Sequence, residues 1–303
     1  MLNGLAEATV KIVWAQWTAV GALTSPGRRA HSIVDPEALV LISLALRDRE
    51  RRLWDILGWW AVEGTSLLSV QRMRNLAQAY PGDIDAALPE FAHLAREKGG
   101  DHRWKSLEPR KPSRSPRPEK LRQGPAELIE PATLLLRLRS GFGVGVKADV
   151  LAFLIGVRGS FVTVRDVARA VGYTTRAVRQ ALDELGRARL IRTMRGHPVE
   201  HAVAGAAWLR LLEIEGDGPE WRYWQGVFAF VAEALALGEK LREKAPSDYV
   251  VASELRRLVK EHESAFRWNR IEIPDPERYP GEAYLDAFDR MARQLEGWMV
   301  EHV

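Results

Sequence analysis

Residues 172–185, GYTTRAVRQALDEL, combine residue types that can hydrogen-bond to nucleic-acid bases. On a helix, the apolar residues of this segment share one face and leave Arg176, Arg179 and Gln180 on the opposite face. Arginine and glutamine can each form two hydrogen bonds with the edge of a guanine or an adenine, and the amides at a helix N-terminus favour phosphate. The spacing therefore predicts a helix whose exposed face contacts DNA. The residues expected to face inward are Val178, Ala181, Leu182 and Leu185.

Two more helices are predicted just before this segment. Residues 146–157 place apolar side chains on one helical face, and an apolar stripe follows Thr163, whose hydroxyl can cap a second helix. Gly172 can adopt the left-handed backbone conformation that ends a helix, and Thr174 is the expected N-cap of the next one. The pattern predicts three helices with a short turn between the last two.

A β-hairpin is predicted after the third helix. Residues 186–203, GRARLIRTMRGHPVEHAV, contain two short β-prone runs on either side of a Gly-His-Pro turn. Arg192, Arg195 and His197 are therefore expected on or near the tip of the hairpin.

The order of these elements at residues 146–204 resembles the winged helix-turn-helix domains of bacterial and archaeal transcription regulators, the broad MarR and ArsR-like group. The resemblance covers roughly a fifth of the chain. It implies that the helix at residues 175–189 enters the major groove and that Arg195 in the wing touches the DNA backbone or the minor groove. The candidate DNA-contacting residues are Thr163, Arg165, Thr174, Thr175, Arg176, Arg179, Gln180, Arg192, Arg195 and His197.

Basic residues are concentrated in the middle of the chain. Residues 147–201 carry 10 basic and 5 acidic side chains, and residues 98–122 carry 9 and 3, whereas residues 211–303 carry 12 and 19. This distribution favours contact between the central segment and a polyanion. Exposed arginines are often only solvated and winged helices also bind proteins, so docking to a protein partner remains the alternative.

The periodicity predicts a mainly α protein with a small β-wing. We expect an N-terminal helical domain at residues 1–97, a basic linker rich in proline and arginine at 98–125, a winged helix-turn-helix at 126–205 and a C-terminal helical bundle at 206–303. The linker has too few aliphatic residues to fold alone, and it either follows phosphates or is only a spacer. The tryptophans expected in the core, rather than in a ligand pocket, are Trp208, Trp221, Trp224, Trp268 and Trp298.

No catalytic residue, metal site or cofactor is expected. The chain has no cysteine, which excludes disulfides, thiolate catalysis and cysteine-based zinc sites. The GFGVG loop at residues 141–145 lacks the rest of a dinucleotide-binding fingerprint. His197 and His201 are four positions apart, but Pro198 and the predicted hairpin argue against a helical metal site.

The N-terminus is apolar, but Glu7 and Lys11 interrupt it, so neither a signal peptide nor a membrane-spanning helix is expected. Together these features predict a cytoplasmic, sequence-specific double-stranded DNA-binding regulator of transcription that acts as a homodimer on paired half-sites. The alternative is an accessory or antitoxin-like subunit that uses the winged helix for docking, and a protein partner could bind the C-terminal bundle. An enzyme in the helical flanks would instead show several buried ionisable groups converging in one pocket.

Overall fold

The structure is a computed structural model that describes residues 2–22, 29–81, 84–108 and 126–303. These residues are mainly helical and include a small antiparallel sheet of three strands, which confirms the mainly α class. The α-helices are α1 (Leu2–Ala19), α2 (Pro36–Ala45), α3 (Arg52–Glu63), α4 (Val70–Ala77), α5 (Ile84–Glu97), α6 (Leu134–Phe142), α7 (Val146–Gly156), α8 (Val164–Val171), α9 (Thr175–Arg187), α10 (Gly205–Leu211), α11 (Trp224–Lys244), α12 (Asp248–Glu261), α13 (Glu263–Trp268) and α14 (Ala283–His302). The strands are β1 (Val162–Thr163), β2 (Arg192–Met194) and β3 (Glu200–Ala202), in the order β1-β3-β2.

The first hydrophobic core is formed by helices from both ends of the chain. Helix α11 packs against α1 and α2, and α14 packs along α1. The indole of Trp17 donates a hydrogen bond to Ser43 Oγ at 2.9 Å, and the indole of Trp224 donates one to Ser32 Oγ at 2.8 Å. The helices expected in separate N-terminal and C-terminal domains therefore share one core.

A second core joins α6 through α10. Helix α9 buries Val178 and Leu182 against α7 and α8, and Leu151 of α7 and Val167 of α8 lie in the same cluster. Trp208 of α10 closes this core, and its indole donates a hydrogen bond to the Leu190 carbonyl at 3.3 Å. The central segment thus has its own packed interior, which fixes the orientation of α9.

The start of the expected basic linker is part of the first core. A 3-10 helix at His102–Leu107 packs on α5, and Asp101 caps it by accepting a hydrogen bond from the Arg103 amide at 3.1 Å. Trp104 is fully buried, and its ring meets that of Phe91 edge to face with a centroid distance of 5.3 Å. The basic and proline-rich composition of residues 98–125 gave no indication that Trp104 is buried. Residues 109–125 of the expected linker lie outside the described part of the chain.

Within the described ranges, no helix combines the length and the apolar character needed to cross a membrane.

Candidate nucleic-acid interface

Local capping fixes the two helices that carry the predicted DNA-contacting face. Thr163 and Asp166 form a reciprocal capping box at the start of α8, and Thr163 Oγ1 also donates to Asp166 Oδ2 at 2.7 Å. Gly172, with a φ of 72°, ends α8 in the left-handed region. Thr174 Oγ1 accepts a hydrogen bond from the Ala177 amide at 3.3 Å and caps α9. The predicted caps and the short turn are confirmed.

The hydroxyl of Thr163 is therefore committed to its own helix as both donor and acceptor. It is also only partly exposed, which separates it from the other candidate residues. Thr174 uses its oxygen as an acceptor in the cap, and its side chain is exposed. We assign Thr163 a structural role and keep Thr174 at the edge of the candidate interface.

The outward face of α9 is open to solvent. Thr175, Arg176, Arg179 and Gln180 are all exposed, whereas the opposite face of the helix lies in the second core. The amide of Gln180 donates a hydrogen bond to Glu184 Oε1 at 3.0 Å, and Glu184 also pairs with Lys147 at 2.7 Å. This exposed bond uses one of the two N–H groups of the Gln180 amide.

The strands β2 and β3 form the predicted hairpin beside α9. Met194 lies opposite Glu200 at its end, so that Arg195 and His197 lie in the connecting turn, exposed together with Arg192. Strand β1, just before α8, pairs with β3 with Val162 opposite His201, which ties the hairpin to the start of α8.

The candidate arginines have their guanidinium groups free of acidic partners in the part of the chain that the structure describes. Among the described residues, each of the five is exposed and forms no ion pair. An unpaired guanidinium retains its hydrogen-bonding capacity for a phosphate or a base edge. These five are Arg165, Arg176, Arg179, Arg192 and Arg195.

Sequence reasoning missed Arg169 of α8. It is exposed and, within the described chain, without an ion pair, and it follows Arg165 by four positions on the same helix. Residues four positions apart lie on one helical face, so this spacing was a usable signal. Arg169 therefore adds a second exposed guanidinium beside Arg165 to the part of the candidate interface on α8.

The two candidate metal ligands lie in different environments. His197 is exposed in the hairpin turn, whereas His201 is buried in β3, where burial lowers its pKa. Nδ1 of His201 lies 3.3 Å from Thr193 Oγ1. Throughout the described residues, no group of three potential ligands could hold a metal ion.

A buried ionic network (Asp35, Glu37, Arg72, Arg139 and Asp149) holds α8 against the first core. The guanidinium of Arg139 bonds Asp149 through Nε and Nη2 at 2.8 and 2.7 Å, and its Nη1 bonds Glu37 Oε1 at 2.6 Å. Both side chains of the Arg139–Glu37 pair are fully buried. Asp149 lies on α7 and Glu37 on α2, so Arg139 joins the central segment to the first core.

Arg72 extends the network to the C-terminus of α8. Its Nη1 and Nη2 each bond Asp35 at 2.6 Å, and Nη1 also bonds Glu37 Oε2 at 2.5 Å. Its Nε donates to the carbonyl of Val171, the last residue of α8, at 3.0 Å. Gln225 of α11 donates to the neighbouring carbonyl of Ala170 at 3.1 Å. Two carbonyls that would lack a partner at the helix end therefore accept hydrogen bonds from side chains of the first core.

Electrostatics keep this network charged. Burial would raise the pKa of Glu37, but the guanidinium groups of Arg139 and Arg72 outweigh it and lower the pKa from 4.5 to about 2. Burial likewise disfavours the charged form of Arg139, and Asp149 and Glu37 more than compensate, so that its pKa is raised. Glu37, Arg72 and Arg139 are therefore ionised at neutral pH.

Several buried ionisable groups thus do converge, which is the arrangement an enzyme in the helical flanks would require. The charges are, however, satisfied by one another, and the cavity beside Asp35, Arg72 and Asp149 measures about 20 Å³. This volume is close to that of a single water molecule, which leaves no space for an organic substrate. The geometry therefore favours a structural role for the network, which is to position α8.

Comparisons with known proteins add no assignment, because no family model, no curated protein sequence and no solved structure matches the chain.

Proposed function

We propose that this protein binds double-stranded DNA in a sequence-specific manner and regulates transcription, with residues 146–204 acting as a winged helix-turn-helix. In this proposal α9 lies in the major groove and the hairpin of β2 and β3 is the wing. One observation carries the proposal. Arg176 and Arg179 are exposed on one face of α9 and form no ion pair within the described chain, while the opposite face of the same helix is packed in the second core. A rigid helix with free guanidinium groups suits bidentate contact with guanine.

A single recognition helix contacts only a few base pairs, so the proposal includes a homodimer on paired half-sites. We further propose that it acts in the cytoplasm. Fluorescence anisotropy with labelled genomic duplexes at two ionic strengths tests it. We expect tight binding of a subset of fragments and weaker binding of all fragments at the higher salt concentration. Absence of salt-dependent binding to any duplex would instead favour an accessory or antitoxin-like subunit that docks on a protein.

Replacing Arg179 by alanine should weaken binding to the preferred duplex by about 1 to 3 kcal/mol, because a bidentate base contact is lost. Selection of bound sequences from a random duplex pool should also show relaxed base preference at one position of each half-site. Arg293→Ala, an equal charge change on α14 outside the central segment, is the control and should leave the selected sequence intact. Unchanged selection by Arg179→Ala would place base recognition on another surface.

Replacing Arg195 by alanine should have a different signature. If this wing residue contacts phosphate, its loss weakens all sequences to a similar degree and reduces the slope of log affinity against log salt concentration by about one unit. Titrations at four salt concentrations measure this slope. A slope equal to that of the unmodified protein would show that the hairpin turn stays away from the DNA backbone.

A further inference from the structure

A cleft of about 830 Å³ lies between the central segment and the C-terminal helices. Its walls come from the end of α7, from β1 and α8 on one side, and from the segment before α11 together with α13 and α14 on the other. Small-molecule sites in proteins typically have volumes of about 300 to 1,000 Å³. The cleft therefore has room for a metabolite, the buried network does not line it, and of its lining only Arg169 also belongs to the candidate nucleic-acid interface.

The two carboxylates that line the cleft already form hydrogen bonds or ion pairs with neighbouring groups. Asp166 belongs to the capping box of α8, and Glu220 pairs with Arg158 at 2.7 Å and with Arg222. Nε of Arg222 is buried and has no hydrogen-bond partner among the described residues. An unsatisfied buried donor of this kind is costly unless a ligand or water accepts from it.

Further arginines leave the cleft with excess positive charge. Arg169 and Arg270 are exposed at its surface, and neither forms an ion pair with another described residue. Arg267 also lines the cleft, and its one ion pair within the described ranges is with Glu263 of its own helix. With Glu263 counted, five arginines thus face three carboxylates, and this excess favours an anionic ligand that guanidinium groups can bind in a bidentate manner.

Aromatic rings supply the remainder of the lining. The rings of Trp221 and Trp268 meet edge to face with a centroid distance of 5.6 Å, and Trp298 stacks on His302 at 4.8 Å with an interplanar angle of 16°. All three tryptophans are only half-buried, whereas Trp208 and Trp224 are buried in the cores. Two of the five tryptophans expected in the core are thus fully inside it, and the other three pack against the edges of the cores and also line the cleft.

From this combination we propose that the cleft binds a nucleotide, with the planar base against the indole rings and the phosphate on Arg169 and Arg270. Indole surface stabilises a planar base by stacking, and guanidinium groups recognise phosphate. A nucleoside lacks the anionic group and could contact only the tryptophans of the lining. Inorganic phosphate lacks the ring and could contact only the arginines. The site requires no DNA, and nucleotide binding is measured in the absence of DNA, so failure of either proposal leaves the other standing.

Isothermal titration calorimetry on the full chain tests the proposal with AMP, GMP, the matching nucleosides, inorganic phosphate, indole-3-acetate and an octathymidylate. We expect saturable binding of at least one nucleotide, and at least about tenfold weaker binding of its nucleoside and of phosphate. Equal affinity for nucleotide and nucleoside, tighter binding of indole-3-acetate, or binding of the octathymidylate alone would each overturn the proposal. So would the absence of heat with both nucleotides at millimolar concentration.

The variants Arg169→Gln and Arg270→Gln remove the two unpaired charges, and each should weaken nucleotide binding by about tenfold or more. Arg210→Gln, an exposed arginine of α10 outside the cleft, is the matched control and should bind the nucleotide like the unmodified chain. Circular dichroism of each variant verifies the fold. Folded Arg169→Gln and Arg270→Gln proteins with unchanged affinity would show that the phosphate does not lie on these side chains.

Discussion

Replacing Arg139 by methionine is expected to lower the free energy of unfolding by about 3 to 5 kcal/mol. The side chain is fully buried, and its guanidinium is bonded to Glu37 on α2 and to Asp149 on α7. Methionine fills a similar volume but leaves both carboxylates in the interior, where Arg72 is the remaining cation of the network beside them. An uncompensated buried charge is among the few causes of so large a loss of stability. Urea titration followed by circular dichroism measures the effect.

Two further variants separate loss of charge from loss of geometry. Arg139→Lys keeps the positive charge but loses the bidentate bonds to Asp149, so its stability should lie between those of Arg139→Met and the unmodified chain. Arg257→Ala breaks exposed pairs with Glu254 and Glu261 and should change stability by less than about 1 kcal/mol. If Arg139→Met were as stable as Arg257→Ala, the network would not hold the central segment in place.

Acid should remove about 3 kcal/mol of stability through Glu37 alone. The pKa of this carboxyl is about 2 in the folded chain, below its ordinary value of 4.5. A carboxyl with a lowered pKa stabilises the fold at pH values above 4.5, and the contribution disappears as the pH falls toward 2. By pH 3 about 2 kcal/mol of it should be gone. Unfolding titrations at intervals between pH 6 and pH 3 measure this decline.

Glu37→Gln identifies the responsible group. The variant is expected to be less stable at pH 6, because Arg72 and Arg139 each lose a buried carboxylate partner. Since glutamine does not titrate, the difference in stability from the unmodified chain should shrink as the pH falls to 3. A difference that stays constant over this range would show that the pKa of Glu37 is not lowered by its two arginines.

The network that Arg139 and Glu37 stabilise is relevant to the proposed function because it holds α8 in place. Arg72, which bonds Glu37 in the network, also donates a hydrogen bond to the carbonyl of Val171 at the C-terminus of α8. This carbonyl lies next to the turn that leads into α9. Replacing a buried ion pair by apolar residues is often neutral for stability, so the network is better explained by the orientation that it imposes than by the energy it adds. A helix that presents arginines to a groove requires such fixed orientation.

The sequence by itself determined the local structure of the candidate site. Thr163, Gly172 and Thr174 begin and end helices where their side-chain and backbone chemistry predicts, because a cap depends on groups within one helical turn. The apolar spacing of α9 likewise fixed which face is buried, and therefore that Arg176 and Arg179 are exposed. Residues 109–125 of the expected linker lie outside the described ranges.

Only the tertiary structure decided which elements meet. Asp35 and Glu37 are positioned in the sequence as an N-cap and a first-turn acid of α2, and Asp35 does accept a hydrogen bond from the Ala38 amide at 3.2 Å. Nothing local shows that they also bind Arg72 and Arg139, since Glu37 and Arg139 are 102 positions apart. Periodicity shows that a face is buried but not which helix covers it. The shared core of the two chain ends and the tryptophan-lined cleft therefore emerge only from packing.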